Sequence, residues 1–463
     1  RRYRVVRIIS QGRIPFGRED DTVIIPHQKQ PGDTMTVRVR WHGEPAEGML
    51  IGTNRFGGRT IFADNYPDRA RRWMPVQDHP SDKATVSWHI EVPPGYQGIG
   101  NGEFQKLDTL PYGRLIWNYR ESHAVPTYVM VAGMAKFARQ ELAPAGCAVK
   151  CVPQAVWSYP GDSAYAINGP FRRTSDMLDY FSGLIGPFPY ERLTHVESTT
   201  QFGGMENASA IFYGDRLYES QRLSEETVAH ETAHQWFGDA VTPADFTHVW
   251  LSEGFATYFA ALWVGHADGA AAFRASMQRA ADQVRSSKAT VQPILGPLPD
   301  NLSEILSTNP YQKGAWTLHS LRHLVCDSAF FGGIRAYSAK WKDGNTRTAD
   351  LRDAIEAASG QQVDWFFRQA LTQPGYPKLT ISWTHDAAKR RLVLDVRQTQ
   401  DAAWGLYRLP KLELQVGRSR ARIDVAAAAS QQIIIPGVRT APTDLAVDPD
   451  GWWLLDATVM PSR

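Results

Sequence analysis

The segment VAHETAHQWFGDAV, residues 228–241, has the residue types and the spacing of a metal site. His230 and His234 are four positions apart, so a helix would place both imidazoles on one face, about 6 Å apart. Glu231 would then lie beside the ion but not on it, which suits a base for a metal-bound water. The segment predicts a metal-dependent hydrolase, although a chain with 13 histidines can carry such a motif by chance.

A third ligand must come from elsewhere in the chain. One class of zinc peptidase continues the motif as H-E-x-x-H-x-x-G-x-x-H, but Phe237 and Ala240 occupy those two positions here. Another class takes a glutamate from a following helix, and the segment 249–263 offers Glu253 near the start of such an apolar helix. His248 is the alternative ligand. Two histidines and one glutamate would leave the fourth tetrahedral position of zinc to water, which is the open site that catalysis requires.

The spacing of apolar residues predicts the elements that must position these side chains. From residue 22 to about 131 apolar and polar residues alternate, as in strands. After about residue 156 apolar residues recur at three- and four-residue intervals, as in helices, and the alternation returns past 377. We expect a multidomain α+β protein with these domains: an N-terminal β domain over 1–140, a mainly helical catalytic domain over 141–375, and a C-terminal β-sandwich over 376–463.

Composition excludes several classes of partner. With 50 basic and 48 acidic side chains the formal net charge is +2, so no large field attracts nucleic acid or an anionic membrane. The most apolar window, 254–265, is too short to span a membrane, and we expect no membrane span. Of three cysteines only Cys147 and Cys151 are close in sequence, and either a bridge or two thiols fits them. The oligomeric state stays open.

Three further segments extend the pattern. GGMEN at 203–207 precedes the histidine motif, LSEGFATY contains Glu253, and NPYQKGAW at 309–316 follows. Together with HETAH, they resemble the aminopeptidase N family of zinc metallopeptidases, the gluzincins, to which leukotriene hydrolase also belongs. The resemblance covers most of the chain and is strongest between Gly203 and Gly314.

The resemblance implies a role for each matching residue. One zinc ion would be held by His230, His234 and Glu253 in a thermolysin-like catalytic domain, with Glu231 as general base and acid. Glu206 would pair with the free α-amino group of the peptide. Tyr311, in the family's Y-x-K-G context, would donate a hydrogen bond to the oxyanion. The other residues implied to contact the peptide are Gly203, Gly204, Met205 and Asn207.

The implied activity is that of a zinc aminopeptidase, which hydrolyses the N-terminal peptide bond of peptides with a free N-terminus. An endopeptidase is the first alternative, and a bifunctional hydrolase that also opens epoxides is the second, because the same zinc and tyrosine could serve either. The third alternative is a non-catalytic, peptide-binding relative. The side-chain preference at the substrate N-terminus cannot be read from the sequence.

The chain departs from the family at the second anchor for the amino group. Relatives usually carry Glu or Gln about nine residues before the proline that corresponds to Pro75, and Tyr66 occupies that position here. Either Asp64 or Asn65 could replace the missing anchor, or Glu206 could hold the amine alone.

The ends of the chain also differ from the family pattern. We expect the first domain to lack its opening portion and the helical fourth domain to be absent. The chain begins without an initiator methionine. On that ground we expect a periplasmic or secreted location, although a truncated chain would begin in the same way.

Overall fold

The N-terminal part of the chain is built from strands. The computed structural model describes residues 4–9, 15–19, 22–147 and 150–462. The strands up to residue 158 are β1 Arg4–Ile9, β2 Gly17–Glu19, β3 Thr22–Ile24, β4 Arg38–His42, β5 Met49–Thr53, β6 Arg59–Ala63, β7 Ala84–Val92, β8 Gln97–Gly100, β9 Glu103–Thr109, β10 Leu115–Val125, β11 Ala132–Ala135, β12 Ala138–Ala145 and β13 Val152–Ser158.

The central part is mainly helical. Its helices are α1 Ser163–Asn168, α2 Thr174–Ile185, α3 Asp215–Glu219, α4 Glu225–His234, α5 Trp250–Asp268, α6 Ala270–Ser286, α7 Gly314–Val325, α8 Asp327–Trp341, α9 Thr348–Ser359 and α10 Asp364–Thr372. The strands among them are β14 Leu193–Ser198, β15 Gly204–Met205, β16 Ala210–Gly214, β17 Val241–Pro243 and β18 Gly344–Thr346.

Strands return after α10. They are β19 Lys378–Asp386, β20 Arg391–Gln398, β21 Leu409–Val416, β22 Ser419–Val425, β23 Ser430–Pro436, β24 Leu445–Val447 and β25 Asp456–Pro461. The predicted succession of an N-terminal β part, a helical centre and further β-sheets is confirmed. No helix in the described part of the chain combines the length and apolar character needed to cross a membrane.

The chain divides into two compact units, which are interleaved in sequence. The first comprises Arg1–Ser175 with Tyr190–Glu225, and the second comprises Asp176–Pro189 with Glu226–Arg463. The three predicted domains, with boundaries after 140 and 375, stay a prediction. In the first unit a disulfide joins Cys147 to Cys151, the first of the two alternatives, whereas Cys326 of the second unit is an exposed free thiol.

A five-stranded sheet of the first unit carries the GGMEN segment. Its strand order is β12-β13-β14-β16-β15. Strands β13, β14 and β16 run parallel to one another, whereas the outer strands β12 and β15 pair antiparallel with β13 and β16. All residues of β14 and β16 are buried, as expected for strands covered on both faces. The short edge strand therefore presents the residues after Met205 beside a rigid, buried strand.

Helix α5 is the central element of the second unit. It packs against α6 and α7 and is buried along most of its length. Most of its residues are apolar, and they are distributed around the helix, which is typical of a helix inside a core rather than at a surface. The C-terminal strands of this unit form two sheets, in the orders β23-β20-β19-β25 and β22-β21-β24. Buried α5 gives a rigid support to the side chains of its first turn.

Candidate functional site

Helix α4 brings two imidazoles together. The Nε2 atoms of His230 and His234 lie 3.0 Å apart, and the ring centroids lie 4.7 Å apart. His234 is fully buried, whereas the side chain of His230 keeps 18% of its exposure. This is the one-face arrangement that the four-residue spacing predicts.

The carboxylate of Glu253 completes the cluster from the first turn of α5. Its Oε2 atom lies 3.3 Å from the Nε2 atoms of both His230 and His234. Burial raises the pKa of the Glu253 carboxyl, but the two histidines in their protonated form outweigh burial and lower this pKa below its ordinary value. The side chain is therefore a buried carboxylate that faces two nitrogen atoms.

These three side chains fit one metal ion. Their ligand atoms all lie within 4.8 Å of one another, and Glu253 Oε2 accepts no hydrogen bond from the described residues. A buried carboxylate oxygen without a donor is costly unless a cation satisfies it. Two imidazole nitrogens and one carboxylate oxygen are a common zinc ligand set, with a fourth position left open. His248, the alternative ligand, is not part of this cluster, and its Nδ1 contacts Thr348 Oγ1 at 3.0 Å.

Two contacts at Nδ1, on the side of the ring away from Glu253, determine the tautomer of His234. Its Nδ1 lies 3.0 Å from the carbonyl oxygen of Phe237 and 3.0 Å from Ser252 Oγ. A carbonyl oxygen can only accept, so Nδ1 carries the proton and the lone pair of Nε2 points to Glu253. Gly238, the residue after Phe237, has two requirements. Its φ is +120°, and a Cβ at this position would lie 2.4 Å from Ser252 Oγ. Only glycine meets both requirements.

Sequence reasoning missed this support behind His234. In the sequence, Phe237 excludes another class of zinc peptidase, but nothing in the sequence indicates that its backbone carbonyl contacts His234. Ser252 precedes the ligand Glu253 directly, which was the one available hint. Glu231, the predicted base, follows His230 on α4 and is buried, with 6% exposure.

Tyr311 lies beside the histidine pair. It belongs to a short π-helix, Asn309–Lys313, which leads directly into α7. The Tyr311 ring stacks parallel to the His230 ring, with centroids 5.9 Å apart and an interplanar angle of 6°. Single π-helical turns are rare and concentrate at functional sites. The structure thus brings Tyr311 together with the three clustered side chains.

Hydrogen bonds on both sides hold residues 306–313, called the tyrosine segment from here on. Buried Asn309 donates from Nδ2 to the carbonyl oxygens of Ala289 at 2.8 Å and Gln292 at 3.0 Å. At the other end, Lys313 Nζ donates to the Gln373 carbonyl oxygen at 2.9 Å, and burial lowers the pKa of this amine to about 7. Both anchors are long-range contacts that no local pattern predicts.

Two glycines bring the tyrosine segment against α5. A Cβ on Gly254, the residue after Glu253, would lie 3.0 Å from the carbonyl carbon of Gly314 and 3.1 Å from the Pro310 carbonyl oxygen. The backbones therefore touch where no side chain fits. This contact sets the separation between Glu253 and Tyr311, because each lies within three residues of it.

The GGMEN segment belongs to the first unit. Gly204 and Met205 form β15 and pair with Tyr213 and Phe212. Glu206 follows directly and is buried, with 5% exposure, and Asn207 is fully buried. Gly203 is half-buried, and its carbonyl oxygen accepts a hydrogen bond from the Gly214 amide at 3.2 Å.

The two candidates for a second amine anchor differ in their contacts. The Asn65 amide donates to the carbonyl oxygens of Thr127 and Met130 and accepts from Trp73 Nε1. Asn65 is thus engaged in bracing its own unit. Asp64 lies 3.5 Å from the Arg69 guanidinium, and burial raises the pKa of its carboxyl. Asp64 Oδ2 accepts no hydrogen bond from the described residues.

Comparisons with protein families match two segments of the chain. Residues 22–129 match the Peptidase M1 N-terminal domain, and residues 170–369 match the Peptidase family M1 domain. Probable aminopeptidase 1 of Saccharolobus solfataricus is 27% identical over 75% of this chain and 46% of its own length. Glutamyl aminopeptidase of Rattus norvegicus is 27% identical over 72% of this chain and 36% of its own length. The chain thus spans less than half the length of these curated relatives.

Solved structures share the fold. The M1 zinc metallopeptidase of Deinococcus radiodurans is 25% identical, with a TM-score of 0.70 over 81% of this chain and 85% of that protein. Aminopeptidase A of Legionella pneumophila, solved with aspartic acid, has a TM-score of 0.85. It is 14% identical, over 99% of this chain and 55% of that protein, so this likeness concerns the fold alone.

The contact between the two glycines predicts opposite effects of one substitution at two helical sites. Gly254→Ala is expected to lower the free energy of unfolding by about 1–3 kcal/mol, because the new methyl group meets backbone that must shift. Gly183→Ala, on α2 with nothing within 4 Å, is the matched control and should raise it by about 0.5–1 kcal/mol. Chemical unfolding measures both. Equal shifts in the two variants would contradict a tight contact at Gly254.

Proposed function

We propose, from the premise that the chain belongs to peptidase family M1, the aminopeptidase N family, that it is a zinc-dependent aminopeptidase. It would hydrolyse the N-terminal peptide bond of peptides that have a free amino end. The observation that carries this proposal is the convergence of His230 Nε2, His234 Nε2 and Glu253 Oε2 on one point.

Zinc is the metal that best fits this ligand set. The donors are two neutral imidazoles and a carboxylate, and a solved relative is named a zinc metallopeptidase. When bound, zinc supplies Lewis acidity, which polarises the substrate carbonyl and lowers the pKa of a water. Phe237 and Ser252 hold His234 in the tautomer that can ligate.

Glu231 serves as the proton carrier. A carboxylate oxygen of Glu231 takes a proton from the attacking water and later delivers it to the nitrogen of the leaving amine. It is buried and follows the ligand His230 on a helix, so its backbone position is tied to that of the metal cluster. One carboxyl group performs both transfers because it is regenerated as the bond breaks.

Tyr311 stabilises the charge that develops on the substrate. Its phenol donates a hydrogen bond to the carbonyl oxygen as that oxygen becomes negative. The stacking of Tyr311 on His230 and the anchors at Asn309 and Lys313 support this role, because they hold the ring before substrate arrives. A preorganised donor costs no reorganisation at the moment of reaction.

Glu206 binds the α-amino group, and the neighbouring GGMEN residues contact the peptide. A buried carboxylate after an edge strand supports this role, because no described strand pairs with the outer side of β15, where an extended peptide could add. An ammonium group would then neutralise the Glu206 carboxylate. Such an anchor restricts cleavage to the first peptide bond, which distinguishes an aminopeptidase from an endopeptidase.

The ligand assignment predicts which substitutions release zinc. Purified protein is expected to hold about one zinc ion per chain, and His234→Ala and Glu253→Ala should each lose it on dialysis. His248→Ala is the matched control, because His248 lies five residues before Glu253 and is outside the cluster. Elemental analysis gives the answer. Loss of zinc in the His248 variant with retention in the Glu253 variant would refute the assignment.

The role of Glu231 predicts a separation of metal binding from turnover. Glu231→Gln preserves shape but cannot accept the proton, so kcat on alanine 4-nitroanilide should fall by about 10²–10⁴-fold. Zinc content should stay at the wild-type level. Turnover near the wild-type rate in this variant would exclude Glu231 as the base.

The role of Glu206 predicts dependence on a free amino end. A peptide acetylated at its N-terminus should be cleaved far more slowly than the same free peptide. Glu206→Gln should reduce kcat/KM for the free peptide without releasing zinc, whereas Glu219→Gln, at an exposed site of the same unit, should not. Equal cleavage of both peptides would favour the endopeptidase alternative.

A further inference from the structure

An open cavity adjoins Tyr311 within the second unit. Its volume is about 720 Å³, which lies in the range of about 300–1,000 Å³ typical of ligand pockets. One wall is the C-terminal end of α6, with Gln283, Ser286 and Ser287. The other wall is the segment 306–312, which includes Tyr311 itself. The cavity therefore begins at the residue proposed to contact the reacting carbonyl.

None of the residues that line this cavity carries a charge. The basic residues adjacent to them in sequence are engaged or lie outside the lining. Arg285 pairs with Asp456 and Asp282 and donates to the Leu455 carbonyl oxygen. Lys313 is buried, with its amine on the Gln373 carbonyl oxygen, and Lys288, which follows Ser287, is exposed and lies outside the lining. A charged side chain in the cavity would thus meet no counter-ion in its lining.

The walls are held together by hydroxyl groups. Thr308 Oγ1 donates to Ser287 Oγ at 2.6 Å, which ties the tyrosine segment to the end of α6. Ser286 Oγ donates to the Asp282 carbonyl oxygen at 2.8 Å, so its remaining capacity is that of an acceptor. The Gln283 and Gln312 amides can both donate and accept. Such a lining matches peptide groups and small polar side chains.

We propose that this cavity binds the leaving side of the substrate, the residues after the cleaved bond, and favours uncharged side chains there. This inference rests on the proposed aminopeptidase function. An aminopeptidase substrate has one residue before the cleaved bond and several after it. A cavity of this size that starts at Tyr311 suits the longer side. Selectivity at the second residue then follows from the absence of charge in the lining.

Charges placed on the cavity wall test this inference in the full chain. Ser286 is exposed on α6, so Ser286→Glu and Ser286→Lys add opposite charges without burying them. The substrates are amidated tetrapeptides Ala-X-Ala-Ala with X as Ser, Glu or Lys, compared by kcat/KM. The wild type should prefer Ser. Ser286→Glu should raise the Lys-to-Glu ratio by about two- to tenfold, and Ser286→Lys should lower it similarly, as expected for solvent-exposed charge pairs.

The matched controls are Ala275→Glu and Ala275→Lys. Ala275 is also exposed on α6 but lies 11 positions earlier, about 16 Å along the helix axis. These controls should leave the ratio unchanged. The effect of Ser286→Glu should also shrink in 0.5 M salt, because screening weakens exposed charge interactions.

Two outcomes would overturn the inference. One is an unchanged Lys-to-Glu ratio in both Ser286 variants. The other is a change in the Lys-to-Glu ratio for peptides X-Ala-Ala-Ala, in which the first residue varies. That result would place the residue before the cleaved bond in the cavity. Alanine 4-nitroanilide has no side chain after the cleaved bond and reports the proposed function separately. A wild type that cleaves neither this substrate nor the peptides would refute the aminopeptidase proposal itself.

Discussion

A buried carboxylate between two imidazoles is the constraint on which the second unit is built. Glu253 has 3% exposure, and its Oε2 atom faces the Nε2 atoms of His230 and His234. Such a charge is tolerated inside a protein only when it is paired or ligates a metal. Burial of α5 places the carboxylate in the interior, and α4 supplies its two partners. The core that stabilises the fold is thus also the support of the site.

The same helix determines the position of the tyrosine. Gly254 follows Glu253, and its missing side chain allows the backbone of Gly314 to approach α5. Helix packing normally separates axes by about 8–10 Å, because side chains intervene. Small residues permit closer approach, so Glu253 and Tyr311 are fixed relative to each other through backbone atoms rather than flexible side chains. The segments LSEGFATY and NPYQKGAW each contain one of these two glycines, Gly254 and Gly314.

Structural features that depend on residues close together in the chain could be predicted from the sequence. The four-residue spacing of His230 and His234, the helix that carries Glu253, and the order of β and helical parts each depend on neighbours in the chain. The resemblance to the aminopeptidase N family is confirmed by the two matching family domains. What could not be predicted depends on residues distant in sequence. The contact of Ser252 with His234 and the anchors of Asn309 exist only once the helices have packed.

The C-terminal strands contribute to the site although they supply none of its proposed residues. Helix α7 continues directly from the tyrosine segment and carries His319 and His323. Both histidine rings stack against the ring of Trp452. Ser320 Oγ donates to the Trp452 carbonyl oxygen at 2.9 Å. Aromatic stacking of this kind adds about 0.5–1.5 kcal/mol per pair to the burial of the rings. The orientation of α7, and with it that of Tyr311, therefore depends on the loop between β24 and β25, so the chemical centre and the C-terminal β part form one structural unit.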